Sequence, residues 1–422
     1  MLVTHGTRGD VQPFLALAVA FRRAGHDAVL AAPASFADSA VSYDVEFAPL
    51  DEGPNRLLRD PTMVKAIEGG YRGVRGKLTA ISTIRRIKPL MADVLRDVGA
   101  VACSSGADLL VHSPSVPAQH AAELLGVPAV LATLQPGWVP TSEFPCPMVP
   151  LPRVPRFLNR ATYLTVSATM RAYNGVVNTW RADDLGLARG RGPDHALVLQ
   201  AFSSAVTPVD PAWPESVRTT GFWLLPRNAA WSPEMSLRAF LEAGPPPVYL
   251  GFGSMAGRDA QRIGDIVADA VRDAGVRAVV ATGWGGLATR SSDDLLVIDQ
   301  APHDWLFGKV AAVVHHGGGG TTAAALAAGV APGDLPVRRR STPLGAADAR
   351  CRRCPSATSP PEHHRHLAQR RDHSSRERSR APATRHRPQR ADPRGRRCRH
   401  SRPRPGGDPQ WTWLTASRRP SA

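Results

Sequence analysis

Cysteine is scarce: the 422 residues hold five, and only Cys103 and Cys146 precede residue 333. That is too few, and too unpatterned, for a disulfide framework. Long apolar runs are missing as well. No stretch reaches the roughly 18 to 20 apolar residues of a membrane span, and the start has no charged segment followed by an apolar leader core, so a soluble, cytoplasmic protein is expected. Most of the chain also lacks excess charge. The formal net charge of +16 would ordinarily point to nucleic acid or an anionic surface. Residues 333–422, however, hold 23 Arg, no Lys and seven acidic residues, while residues 1–332 set 29 basic against 29 acidic ones. The excess belongs to the tail, so no specific nucleic-acid partner is expected.

What is present is a strand and helix alternation. The length suits two domains, since single cores stop growing at roughly 250 to 300 residues. Short apolar runs read as strands at Leu2–Thr4, Ala28–Ala32, Val45–Ala48, Leu109–His112, Ala129–Thr133 and Leu197–Ala201, the last closing the first domain. A helix is expected from Pro13 to a stop at Gly25, others within 56–100, 116–125 and 163–187. The proline-dense segment 135–155 reads as a loop at the carboxyl ends of the strands, where sheets of this kind bind ligands. A second sheet is expected from Val248–Gly251, Arg277–Thr282, Leu295–Ile298 and Ala311–His315. The first strand looks short at its start, so a start codon further upstream is expected.

The most informative stretch follows Ala311–His315: His316, four glycines from Gly317 to Gly320, then Thr321 and Thr322 opening an alanine-rich helix. The first N–H groups of a helix have no intrahelical partner and lie at the positive end of its dipole. Glycines let an oxyanion approach the backbone, and threonine hydroxyls or a histidine N–H can add donors, so a diphosphate suits this turn. The plainer reading is a glycine-rich turn with two incidental histidines. At the other end, Asp10 follows a strand and stands near a helix N-terminus. It can be a general base or simply a helix cap. His5 is a second candidate base, and Arg8 can serve structure or ligand.

Two spaced motifs, Thr4-His5-Gly6-Thr7-Arg8-Gly9-Asp10-Val11-Gln12-Pro13 and Asp299-Gln-Ala-Pro302-His303-Asp304-Trp305 followed by His316 to Thr322, resemble nucleotide-sugar glycosyltransferases. The nearest group is that of the sterol 3-beta-glucosyltransferase-like and glycopeptide-antibiotic enzymes. The resemblance covers residues 1 to about 332. It implies an α/β protein of the GT-B type, two Rossmann-like domains facing across a cleft, with an acceptor domain (1–222), a linker (223–247), a partial donor domain (248–332) and a disordered Arg/Pro-rich tail (333–422).

The same resemblance implies the roles. Asp10 would be the base, and His316 with Gly318, Gly319, Gly320 and Thr321 would hold the donor phosphates. Ser254 would meet them from the other side, or merely cap a helix. Ala301 and His303, around Pro302, would present backbone groups to the nucleobase. Relatives place a stacking tryptophan where this chain has Gln300, leaving Trp284 as a possible replacement. The expected reaction transfers a hexose from a UDP- or dTDP-sugar to a hydroxyl of a sterol, polyketide or other lipophile, with inversion. It would need no cofactor and no metal, and at most peripheral membrane contact.

After Pro332 the chain departs from the family pattern, which calls for a buried strand and then an Asp-Gln pair that holds the sugar hydroxyls. Read from their second base, the codons of Gly333 to Gly345 are compatible with Val-Ile-Cys-Pro-Phe-Gly-Ala-Asp-Gln-Pro-Leu-Trp-Gly. A frame shift near Pro332 is therefore expected. Cys351 and Cys354 with His363, His364 and His366 would then be accidents of codon composition rather than a zinc site. Rival readings are a non-catalytic remnant, a nucleic-acid binder using the Arg-rich tail, and a sugar-nucleotide epimerase.

Overall fold

The computed structural model describes residues 1–59, 73–148, 154–251, 260–283 and 289–334. The first sheet holds β1 (Leu2–Val3), β2 (Val29–Pro33), β3 (Glu46–Leu50), β4 (Leu110–His112), β5 (Ala129–Thr133), β6 (Leu197–Gln200) and β7 (Val217–Thr219), in the order β3-β2-β1-β4-β5-β6-β7. The second holds β8 (Val248–Gly251), β9 (Ala278–Ala281), β10 (Leu295–Ile298), β11 (Ala312–His315) and β12 (Ala331–Asp334), in the order β10-β9-β8-β11-β12. The paired strands of both sheets run parallel.

Successive strand residues point to opposite faces, and each face has its own core. Val3, Leu110 and Ala129 enter one core with Trp180 and Leu185, while Leu2, Val111 and Val130 enter the other with Phe14 and Leu15. Strand β9 is buried at all four positions, as a strand covered on both sides must be.

Helices connect the strands: α1 (Arg8–Arg23), α2 (Ala37–Ser42), α3 (Gly53–Arg59), α4 (Gly73–Ser105), α5 (Gln119–Leu125), α6 (Asn159–Thr162), α7 (Leu164–Arg171), α8 (Asn174–Asp183), α9 (Met235–Glu242), α10 (Ala260–Ala274), α11 (His303–Leu306) and α12 (Gly319–Ala327). Val11, Phe14, Leu15, Ala18 and Val19 form the buried stripe of α1.

Four expectations are corrected. Helix α1 starts at Arg8, so Pro13 lies inside it, because Thr7 and Asp10 cap it more than a turn earlier. β6 does not close the first sheet; three-residue β7 pairs beside it. Segment 223–247 is shared between the lobes rather than a bare linker: Trp223 and Leu225 pack on the first core, and α9 buries Leu237 in the second. The second lobe runs past residue 332, since β12 pairs with β11 through Asp334. The tail beyond it, with its Cys and His residues, lies outside the described residues.

In each sheet the order reverses beside the first strand, between β1 and β4 and between β8 and β11. Such reversals open a crevice at the carboxyl ends of the strands. The His5-to-Asp10 turn leaves β1 and the glycine turn leaves β11, so each sits at its own crevice.

Candidate active site

The β1–α1 turn is tightly determined. His5 is buried, and its Nε2 donates to the Asp51 carbonyl at 2.9 Å. A carbonyl can only accept, so Nε2 carries the proton. Burial lowers the His5 pKa, opposed by that bond and by the nearby Asp10 charge. Gly6 adopts φ +143°, and a Cβ there would meet Asp10 Oδ2 at 2.3 Å, so only glycine fits. Its carbonyl accepts from Asn55 Nδ2 at 2.8 Å.

Asp10 is the third residue of α1, and its Oδ2 accepts from Thr7 N at 2.8 Å and Thr7 Oγ1 at 3.1 Å. Both capping bonds fall on Oδ2, so the cap and a second role for Oδ1 are compatible. Burial raises the Asp10 pKa, against the two Thr7 bonds and the His5 neighbour.

The β11–α12 turn is equally constrained. His315 is fully buried, and its Nδ1 accepts from Gly317 N at 3.0 Å. Gly317 has φ +85°. The His316 ring lies over Gly318, where a Cβ would meet its Nε2 at 2.8 Å. The first bond of α12 runs from Thr322 N to Gly318 O at 3.0 Å, so the amides of Gly319, Gly320 and Thr321 lie ahead of it, at the positive end of the helix. Thr322 corrects an expectation. Its hydroxyl is buried and donates to Gly318 O at 3.0 Å, so it serves its own helix rather than a ligand.

The lobes meet between these turns. Arg8 Nη1 donates to Gln300 Oε1 at 2.9 Å, joining the first turn of α1 to the segment before Pro302. Ala301 is buried in the second core. The His303 ring stacks on Phe307 at 4.4 Å and meets the Tyr249 edge at 5.9 Å. Burial holds its pKa down to about 4, helped by the charges of Arg8 and His315. Its ring is occupied by packing, and its carbonyl accepts from Phe307 N. Burial likewise pushes Tyr249 up to about 12, opposed by Arg8. Arg8 thus shares one electrostatic neighbourhood with His303, and His303 with His315.

Sequence reading missed Arg8 as the link between lobes, although Gln300 in place of tryptophan was the visible signal. The Asp304 carboxylate was missed too; it accepts from Arg227 N at 2.9 Å and pins segment 223–247 to α11. Ser254 and Trp284 lie outside the described residues.

Comparison with known proteins fits this geometry. Residues 1–141 match the glycosyltransferase family 28 N-terminal domain. The chain is 33% identical over 331 residues to the sterol 3-beta-glucosyltransferase UGT80B1 of Arabidopsis thaliana, covering 74% of this chain and 52% of that protein. It is 34% identical over 349 residues to the sterol 3-beta-glucosyltransferase of Emericella nidulans, covering 78% of this chain and 24% of that one. The chain therefore spans about half, or about a quarter, of the length of these relatives. Among solved structures, the kitacinnamycin glycotransferase superposes with a TM-score of 0.57 at 17% identity, covering 82% of this chain and 83% of that one. At that identity the likeness is one of fold, the GT-B arrangement of two parallel-sheet lobes.

Proposed function

We propose, from the match of residues 1–141 to the glycosyltransferase family 28 N-terminal domain and the GT-B likeness of the described residues, that the chain binds a nucleoside-diphosphate hexose and transfers the sugar to a hydroxyl of a lipophilic acceptor, a sterol or similar natural product. One observation supports the reading: the Arg8–Gln300 hydrogen bond joins the β1–α1 turn to the segment before Pro302 in the second lobe.

In that reading Asp10 Oδ1 takes the proton of the acceptor hydroxyl as its oxygen attacks the anomeric carbon. The carbon–oxygen bond to the diphosphate breaks with inversion. The leaving diphosphate takes up the bonding pair, and its charge is met by the amides of Gly319, Gly320 and Thr321 and by the His316 ring. Fixed donors aimed at developing charge lower such a barrier without reorganising. The raised Asp10 pKa makes the carboxylate a better base than an exposed one.

The test is a thermal shift with UDP and with dTDP, followed by turnover of UDP-glucose with a sterol. Wild type should be stabilised by one of the two nucleotides, because a ligand that binds only the folded state raises its melting temperature. The His316→Ala chain should lose that shift, and Asp10→Asn should keep it while losing turnover. No shift with either nucleotide overturns the reading. A shift without turnover in wild type favours the non-catalytic remnant, consistent with the departure from the family pattern after Pro332.

A further inference from the structure

The proline-dense loop is held by a buried carboxylate from outside it. Four of the fourteen residues 135–148 are proline, and proline has no N–H to give, so a hydrogen-bonded ladder cannot shape this stretch. Side chains shape it instead. Asp210, on the connection between β6 and β7, is the only buried carboxylate among the described residues. A charge taken out of water is costly unless donors surround it. Here they do: Oδ2 accepts from Thr141 Oγ1 at 2.7 Å and Ser142 N at 3.1 Å, with Ser142 Oγ at 3.5 Å, and Oδ1 accepts from Ala212 N at 2.9 Å. The Thr141 and Ala212 bonds lower the Asp210 pKa against the effect of burial, so it stays charged at neutral pH. Trp213 Nε1 donates to Pro140 O at 3.1 Å, so residues 140, 141 and 142 are gripped in turn.

Topology puts this grip at the crevice. The loop leaves the carboxyl end of β5 and the Asp210 segment that of the neighbouring β6, on the same rim of the sheet as the His5-to-Asp10 turn that leaves β1. β5 lies next to β4, which flanks the order reversal. The loop carries apolar side chains: Trp138, Val139 and Phe144 are half-buried, and Met148 is exposed. From its other side, Asn159 Nδ2 donates to Ser142 O at 2.8 Å, and Cys146 N donates to Thr162 Oγ1 at 2.7 Å. Ser142 is thus pinned by both its N–H and its carbonyl, and only the Asp210 end of that clamp carries charge. A pre-ordered apolar wall binds a lipophile without the cost of ordering on contact. We propose that Asp210 is a positioning residue for the lipophilic acceptor: its grip on Thr141 and Ser142 fixes loop 135–148 as one wall of the acceptor crevice. The class of acceptor rests on the proposed function; the grip itself does not.

The test is energy transfer from tryptophan to the fluorescent sterol dehydroergosterol, titrated against the full chain and run beside the nucleotide thermal shift. Wild type should bind the sterol saturably. Asp210→Ala, which strands the loop's donors, should raise the half-saturating concentration about tenfold. Asp210→Asn, which keeps one accepting oxygen, should recover most of that loss. The shift given by UDP or dTDP should stay as in wild type, because the second lobe is untouched; a merely structural role would lower both together. If Asp210→Ala does not fold, Trp213→Phe decides. It keeps a ring and loses only the bond to Pro140 O, and should raise the half-saturating concentration about two- to threefold. Sterol binding equal to that of wild type in Asp210→Ala, or in Trp213→Phe where the first does not fold, overturns the proposal, as does a parallel loss of sterol binding and nucleotide shift. A wild type that shows the nucleotide shift and binds no sterol overturns it too, and leaves sugar-nucleotide binding standing. Sterol binding that depends on Asp210 in a chain with no nucleotide shift upholds it and sinks sugar transfer instead.

Discussion

Gly6 and Gly318 do the same job at two helix starts: each leaves out a Cβ so that a side chain, Asp10 or His316, can lie against the backbone. Gly6 is the more demanding, because its φ of +143° disfavours any Cβ even before the 2.3 Å approach of Asp10 Oδ2. Gly6→Ala should therefore cost about 1 to 3 kcal/mol of stability and turn the Asp10 carboxylate away from Thr7. Urea unfolding measures the first, and loss of activity beyond that of Thr7→Ala would reveal the second. That Asp10 and the glycines stand at helix starts could be read from residue type and order. That Asp10 caps α1 with Oδ2 while Oδ1 is left over could not, because two oxygens of one carboxylate are equivalent until a fold separates them.

At the level of elements, the buried strands were the legible part, since four or five consecutive aliphatics between turn residues have few other uses. Short or mixed elements were not. Val217–Thr219 includes an exposed arginine, and α9 sits in a proline-dense stretch where composition argues against a helix. Its buried Leu237 shows tertiary packing overriding that local signal. The same limit misled the reading of α12. Two adjacent threonines at a helix start look alike in sequence, but they point about 100° apart around the axis, and only Thr321 faces away from the helix's own first carbonyl. Thr322→Val should thus cost about 0.5 to 1.5 kcal/mol through the lost bond to Gly318 O. It should leave nucleotide affinity within about twofold, because no ligand contact is removed. Calorimetric titration with the nucleotide that stabilises wild type checks this, and a much larger loss would return that hydroxyl to the ligand.

Across the whole molecule, buried neutral histidines set the acid limit. Burial takes His112 down to about 3, with His195 beside it, and His120 to about 4, with Arg181 donating to its Nδ1 at 2.6 Å. His303 in the other lobe is also held near 4. All three have ordinary values near 6.5 when unfolded, so between about 6.5 and 4 the unfolded chain binds more protons than the folded one. Stability should be full above that window and fall as pH drops through it, in both lobes. Melting temperatures between about pH 7 and 4.5 check the sign, and a flat profile would contradict the burial of these rings. The two-lobed plan was legible from strand spacing, whereas the way the lobes touch was not, because Arg8 and Gln300 stand 292 positions apart and neither looks unusual alone. That contact has a consequence for timing. Arg8 and Asp10 share the first turn of α1, so a movement that parts Arg8 from Gln300 withdraws the carboxylate in the same stroke. On the proposed function, an open molecule would hold a sugar nucleotide with no base in range, sparing the donor from futile hydrolysis until both halves have shut.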